Sequence, residues 1–76
     1  MSAEHIRLAC IGCGRIAQDH LAAISIIEKV SIIGVVDINK EVVQSVSAQF
    51  KCDAFTSYRD LFKNCDIDAV LICTPP

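Results

Sequence analysis

The chain has 76 residues, 53% of them hydrophobic and 21% charged, with seven basic against nine acidic side chains and a formal net charge of −2. That apolar fraction excludes disordered and low-complexity classes, and the lack of a basic excess or cluster argues against a nucleic-acid partner. No apolar run approaches the roughly 20 residues that cross a bilayer. Residues 1–7 lack the basic start and apolar stretch of a secretory signal, so a soluble, cytoplasmic chain with no membrane partner is expected.

The first predicted element is a strand at residues 6–11, an apolar run stopped by Gly12. Ile16, Ala17, Leu21, Ile24 and Ile27 then recur at helical spacing and predict a helix over 15–27. His20 falls one turn after Ile16, beside that stripe, and reads as a buried structural histidine. Residues 30–36 are rich in branched side chains, as in a strand covered on both faces. Asn39 is a candidate N-cap with Glu41 in the first turn, and Val43, Val46 and Phe50 make the inner face of the helix that follows. A short strand at 54–56, a helical turn or two at 58–62 and a buried-type strand at 69–73, ended by Thr74-Pro75-Pro76, complete the chain.

Strand and helix alternate without repeats or linkers. The expected fold is therefore α/β, a doubly wound parallel sheet of about four strands with helices on both faces. Such sheets normally run to about six strands, and both edges here would be open, a condition complete proteins avoid. Residues 1–76 accordingly read as a fragment of a larger domain.

Five cysteines in a short chain resemble a disulfide scaffold at first count. The number is odd, and Cys10, Cys13 and Cys73 lie in or beside apolar strands, so reduced thiols acting as small apolar residues are expected. Cys10 and Cys13 have C-x-x-C spacing, but no second ligand pair follows for zinc. A redox C-x-x-C opens a helix, whereas Cys10 falls inside a strand.

The most informative segment is Gly12-Cys13-Gly14-Arg15-Ile16-Ala17, a G-x-G-x-x-A between the first strand and first helix. Gly12 permits the tight turn, Gly14 lets a pyrophosphate approach the backbone, and Ala17 lets the helix lie close to the sheet. Amides around Arg15 and Ile16 would meet the phosphates at the positive end of the helix dipole. Alone the motif is weak, because a plain strand-to-helix turn also uses glycines. Asp37 strengthens it, closing the second strand 20 residues beyond Ala17, where a carboxylate takes both ribose hydroxyls of an adenosine. It would repel a 2′-phosphate, and Ile38 and Asn39 offer no arginine to receive one, so NAD is favoured over NADP; Lys40 keeps NADP in play. With sheet order 3-2-1-4, Cys73 and Thr74 reach the same edge from the fourth strand, at the nicotinamide side of the crevice. Asp19, Glu28, Asp53, Asp60, Asp66 and Asp68 read as solvated carboxylates, and Tyr58 as a packed ring with a wet hydroxyl. Neither a nucleophile–base pair nor a metal cluster is evident.

The run from Ile11 to His20, then Val36-Asp37, Tyr58 with Leu61, and Asp68 through Cys73-Thr74-Pro75-Pro76 resembles the amino-terminal segment of the Gfo/Idh/MocA family (glucose–fructose oxidoreductase / inositol dehydrogenase-like). The resemblance implies a two-domain NAD(P)-dependent oxidoreductase acting on a hydroxyl of a sugar, cyclitol or related small molecule, and a homo-oligomer formed through the second domain. It implies that Gly12, Cys13, Gly14, Arg15 and Ile16 form the pyrophosphate loop, Asp37 and Ile38 the ribose end, and Cys73, Thr74, Pro75 and Pro76 the nicotinamide-side loop. Ala17 stands where many members carry a third glycine. The family's Glu-Lys-Pro segment, catalytic lysine and histidine and substrate domain would lie beyond residue 76, leaving no catalytic residue in this chain. Two other readings compete. One is a free-standing nucleotide-binding or partner-docking module. The other is an S-adenosylmethionine methyltransferase, which is disfavoured because Ala9-Cys10-Ile11, with no acid, precede Gly12.

Overall fold

A computed structural model describes residues 5–74. Four strands, β1 (Ile6–Ile11), β2 (Val30–Val36), β3 (Asp53–Phe55) and β4 (Ala69–Ile72), alternate with helices α1 (Arg15–Ser25), α2 (Lys40–Phe50) and α3 (Tyr58–Asn64). All pairings are parallel, and the sheet order is β3-β2-β1-β4, as expected. The sheet reverses direction of growth between β1 and β4, because β2 and β3 were added on one side of β1 and β4 on the other.

Each face of the sheet has its own core. On one, Cys10, Cys13 and Val35 lie beneath Ala17 and Leu21 of α1 and Val43 and Val46 of α2. On the other, Ala9 and Val36 meet Leu61 of α3. Helices thus cover both faces. Leu61 seats this third helix closely: a Cβ at Gly34 of β2 would come within 2.7 Å of its Cδ1.

Capping differs among the helices. The Asn39 side chain accepts the Val42 N–H at 3.1 Å to start α2, and Ser57 accepts the Arg59 N–H at 3.2 Å to start α3. Lys51, in the left-handed region at φ 56°, ends α2 and turns the chain directly into β3. That turn brings Asp53 opposite Gly34, so β3 begins one residue before the predicted 54–56. Helix α1 stops at Ser25, two residues short of expectation. The Ser25 hydroxyl takes the Ala22 carbonyl at 2.7 Å, and the next turns close through Ile27 N–H to Ile24 and Val30 N–H to Ile27. Ile26 and Ile27 are consequently exposed rather than part of an inner stripe.

At the end of the sheet opposite the glycine turn, Arg7 and Asp68 lock β4 onto β1. The Asp68 carboxylate accepts the Arg7 backbone N–H at 2.9 Å while its own N–H donates to the Arg7 carbonyl at 2.8 Å. The Arg7 guanidinium also meets Asp68 at 3.4 Å and Asp66 at 3.2 Å. Both carboxylates remain exposed, yet Asp68 aligns a strand rather than being merely solvated. Among the described residues, no helix is long and apolar enough to cross a membrane.

Candidate functional site

The carboxyl ends of β1, β2 and β4 and the start of α1 surround an open cleft of about 1280 Å³. Gly12 turns the chain out of β1 at φ +96°, where side chains are strongly disfavoured. It is also crowded, since a Cβ there would sit 2.8 Å from the Cys73 carbonyl carbon and 2.9 Å from the Thr74 nitrogen. The Gly12 N–H donates to Val36 at 2.7 Å and the Cys73 N–H to Ile11 at 2.8 Å, so all three strand ends are tied together here.

Gly14 is different in kind. It is the N-cap of α1 at φ −71°, ψ −174°, a backbone any residue adopts, and among the described residues nothing lies within 4 Å of where its Cβ would be. Neither its conformation nor packing against the described residues requires glycine there; the space it leaves belongs to the cleft. The first intrahelical bond runs from the Gln18 N–H to the Gly14 carbonyl at 3.0 Å. The amides of Arg15, Ile16 and Ala17 precede it and have no intrahelical acceptor. Unlike α2 and α3, α1 has no side-chain cap and no acid in its first turn. These donors, with the helix dipole behind them, can receive an anion.

Asp37 follows β2 and is half-buried. Its Oδ2 accepts the Cys13 N–H at 2.8 Å and its Oδ1 accepts the Asn39 N–H at 2.8 Å. A carboxylate oxygen offers about two acceptor sites, so each retains one for a further donor such as a hydroxyl. The bond to Cys13 was not legible in the sequence, where Asp37 reads as a ribose ligand or else as a loop carboxylate or helix-start cap; the Asn39 contact is of the latter kind. Ile38, 93% exposed, flanks the cleft beside it.

Cys13 lines the cleft through its place in the loop, but its side chain is fully buried in the core, with Sγ 3.5 Å from the Val36 carbonyl. Burial pushes the Cys13 thiol up to about 11, aided by the nearby Asp37 charge. The Cys10 thiol is pushed up to about 12, chiefly by burial, and donates to the Gly12 carbonyl at 3.3 Å. Both therefore stay neutral near pH 7 and pack as small apolar groups, rather than acting as the thiolates that redox or metal chemistry uses.

Two expectations for α1 are corrected. Ile16 is 68% exposed, and His20 is exposed rather than buried; both line the cleft. The inner face of the helix is Ala17 and Leu21, so the positions one residue earlier, 16 and 20, turn together toward the carboxyl edge of the sheet. Tyr58, half-exposed at the start of α3, also borders the cleft rather than only packing its ring. On the β4 side stand half-buried Cys73 and exposed Thr74; the expected contacts from Pro75 and Pro76 lie outside the described residues. Sequence reasoning assigned no role to Gln18, whose side-chain Nε2 donates to the Cys13 carbonyl at 3.1 Å. Its only signal was a long amide one turn after the N-cap.

A parallel sheet whose first strand, glycine turn and helix face an acid at the end of the second strand defines the NAD-binding Rossmann class. The chain belongs to the Gfo/Idh/MocA oxidoreductase family, described as an oxidoreductase family with an NAD-binding Rossmann fold, whose model matches residues 6–76. It is 39% identical over 73 residues to the uncharacterized oxidoreductase YrbE of Bacillus subtilis, covering 95% of this chain and 21% of that protein. It superposes on the WlbA dehydrogenase of Bordetella pertussis, solved with NADH and UDP-GlcNAcA, with a TM-score of 0.86 and 29% identity over 95% of this chain and 23% of that one. A myo-inositol dehydrogenase from Corynebacterium glutamicum gives 0.86 and 28% identity over 93% of this chain and 21% of that one. The chain thus spans between 21% and 23% of the length of these relatives. The oxidoreductase match also sets aside the methyltransferase alternative.

Proposed function

We infer that the chain is the amino-terminal part of the dinucleotide-binding domain of an NAD-dependent dehydrogenase, one that moves a hydride between the nicotinamide and a hydroxyl of a sugar, cyclitol or related small molecule. The observation that carries the cofactor half of this reading is the pairing at the cleft. Gly14 leaves open space in front of the uncapped α1 amides, and Asp37 stands beside them with acceptor capacity to spare. In this reading the backbone of Gly12, Cys13, Gly14, Arg15 and Ile16 receives the pyrophosphate and Asp37 the adenosine ribose. Ile38 lies along the adenine, and Cys73, Thr74, Pro75 and Pro76 border the nicotinamide. The bound dinucleotide would supply the hydride chemistry, and this chain its orientation.

NAD is preferred over NADP because the Asp37 carboxylate would meet a 2′-phosphate with like charge, and neither Ile38 nor Asn39 offers a cation. The substrate class is supported by the relatives, among them the WlbA enzyme solved with a nucleotide sugar and a myo-inositol dehydrogenase. The relatives' greater length supports a remaining cofactor-domain portion and a substrate domain outside these 76 residues, through which substrate binding and homo-oligomer formation would occur. Five unpaired cysteines suit a reducing compartment, the cytoplasm. Calorimetric titration with NAD and NADP tests the cofactor reading: tighter NAD binding is expected, and equal or reversed affinities would overturn the preference. Hydride transfer to NAD from a cyclitol or sugar nucleotide, assayed on the full-length reading frame, tests the substrate class.

A further inference from the structure

Cys13 lies between Gly12 and Gly14, and glycine-flanked peptides rotate more freely than any others. Left alone, the Cys13–Gly14 peptide could turn its N–H to either side, because carbonyl and N–H of a trans peptide point in opposite directions. Here both backbone polar groups of Cys13 are held by side chains. Asp37 accepts its N–H at 2.8 Å, and Gln18 Nε2 donates to its carbonyl at 3.1 Å. The Gln18 backbone meanwhile makes the first bond of α1, to the Gly14 carbonyl at 3.0 Å. One residue therefore fixes the plane of the Cys13–Gly14 peptide with its side chain and the start of the helix with its main chain.

We propose that Gln18 is a positioning residue for the phosphate-facing loop: its amide holds the Cys13–Gly14 peptide in the one orientation that aims the Gly14 N–H at the rim of the cleft, beside the uncapped α1 amides. This rests on the dinucleotide reading above. Gln18 touches no part of the ligand in this role. It acts by removing a rotation that the loop would otherwise lose on binding, so its contribution appears in affinity for the pyrophosphate and not for the adenosine end. The amide nitrogen must face Cys13, since only that end of the side chain can donate to a carbonyl.

The test uses Gln18→Met, which keeps length and helix propensity but removes the donor. ADP-ribose, which carries the pyrophosphate, and adenosine, which does not, are titrated into the full-length protein and its Gln18→Met variant, with affinity read by calorimetry and the Gly14 amide by heteronuclear NMR. ADP-ribose should bind roughly three- to tenfold more weakly to the variant, the effect of one neutral hydrogen bond, with adenosine affinity unchanged within about twofold and the Gly14 amide resonance displaced. Unaltered ADP-ribose affinity, or an equal loss for both ligands, would overturn the assignment, the second because a general loss of structure affects both ends alike. If Gln18→Met does not fold, Gln18→Ala, which admits water to the carbonyl, is judged by the same two ratios. Failure of the full-length protein, shown to be folded by circular dichroism, to bind either ligand would refute the dinucleotide reading and this assignment with it. Binding unchanged by the substitution would refute the assignment only.

Discussion

Replacing Gly14 with valine separates what the fold needs from what a ligand needs. The backbone at Gly14 (φ −71°, ψ −174°) suits valine, and no atom of the described chain lies within 4 Å of the new Cβ. The expected cost to folding is that of a poor N-cap residue, about 1 kcal/mol, or roughly 4–8 °C in Tm for a domain of this size. The two methyl groups would occupy the space in front of the Arg15 and Ile16 amides. Blocking two charge-assisted hydrogen bonds, each worth about 1.5–3 kcal/mol, should weaken NAD between about 10² and 10⁴-fold. Calorimetry for affinity and a thermal melt for stability read the two effects independently. Gly12→Ala supplies the contrast, since its Cβ would sit at φ +96° and 2.8 Å from the Cys73 backbone, and should cost at least about 2 kcal/mol of stability. NAD affinity within threefold in the valine variant, or a melt as damaged as that of Gly12→Ala, would refute the division of labour between the two glycines.

Asp37→Ala should weaken NAD more than NADP, and because two backbone amides lose their acceptor it should also lower stability by about 1–3 kcal/mol; paired cofactor titrations and urea midpoints check both, and equal cofactor losses contradict the preference. The Asp68 carboxyl is held below its ordinary range, first by the Arg7 backbone N–H and then by the Arg7 side chain. Its stabilisation is therefore present above the ordinary carboxyl value near 3.9 and is lost as pH falls through the lower folded value, so Asp68→Asn should flatten that acid limb in pH-dependent melts. The Cys10 and Cys13 thiols are raised to about 12 and about 11, so the stability they carry is complete below roughly 8.5 and declines as pH rises through those values. Mass-resolved maleimide labelling near pH 7 should accordingly modify half-buried Cys65 well before either buried thiol, and early labelling of Cys10 would contradict its burial.

The strands and helices were legible because apolar residues cluster in β1, β2 and β4 and the helical faces of Val43, Val46 and Leu21 recur at the right period, and strand order followed from how doubly wound sheets are built. The glycine turn was legible for the same reason, as a local pattern with a steric cause. The inner and cleft-facing sides of α1 were not. Ile16 and Ala17 are adjacent and both apolar, and only the placement of the sheet edge decides that Ala17 turns inward while Ile16 and His20 turn toward the opening. Hydrogen bonds between a side chain and a distant backbone, such as Asp37 to Cys13 across 24 positions, leave no periodic trace. Gln18 was hidden differently, because an amide near a helix start looks like solvent-exposed polarity until the carbonyl it meets is known.

The inward turn of Cys13 makes the middle position of the glycine loop a volume gauge. Its side chain is fully enclosed, packed in the cluster that includes Cys10, Val35 and Val43, while its backbone carries the contacts to Asp37 and Gln18. Interiors are packed densely enough that one added methylene is felt, so a larger residue at 13 would lift the loop away from the sheet and a smaller one would let it settle. Cofactor geometry could then be tuned from beneath, by a residue whose side chain faces away from the cleft. A library randomised at this position and selected for binding should return small apolar residues ranked by fit to the core, with chemistry toward phosphate counting for little.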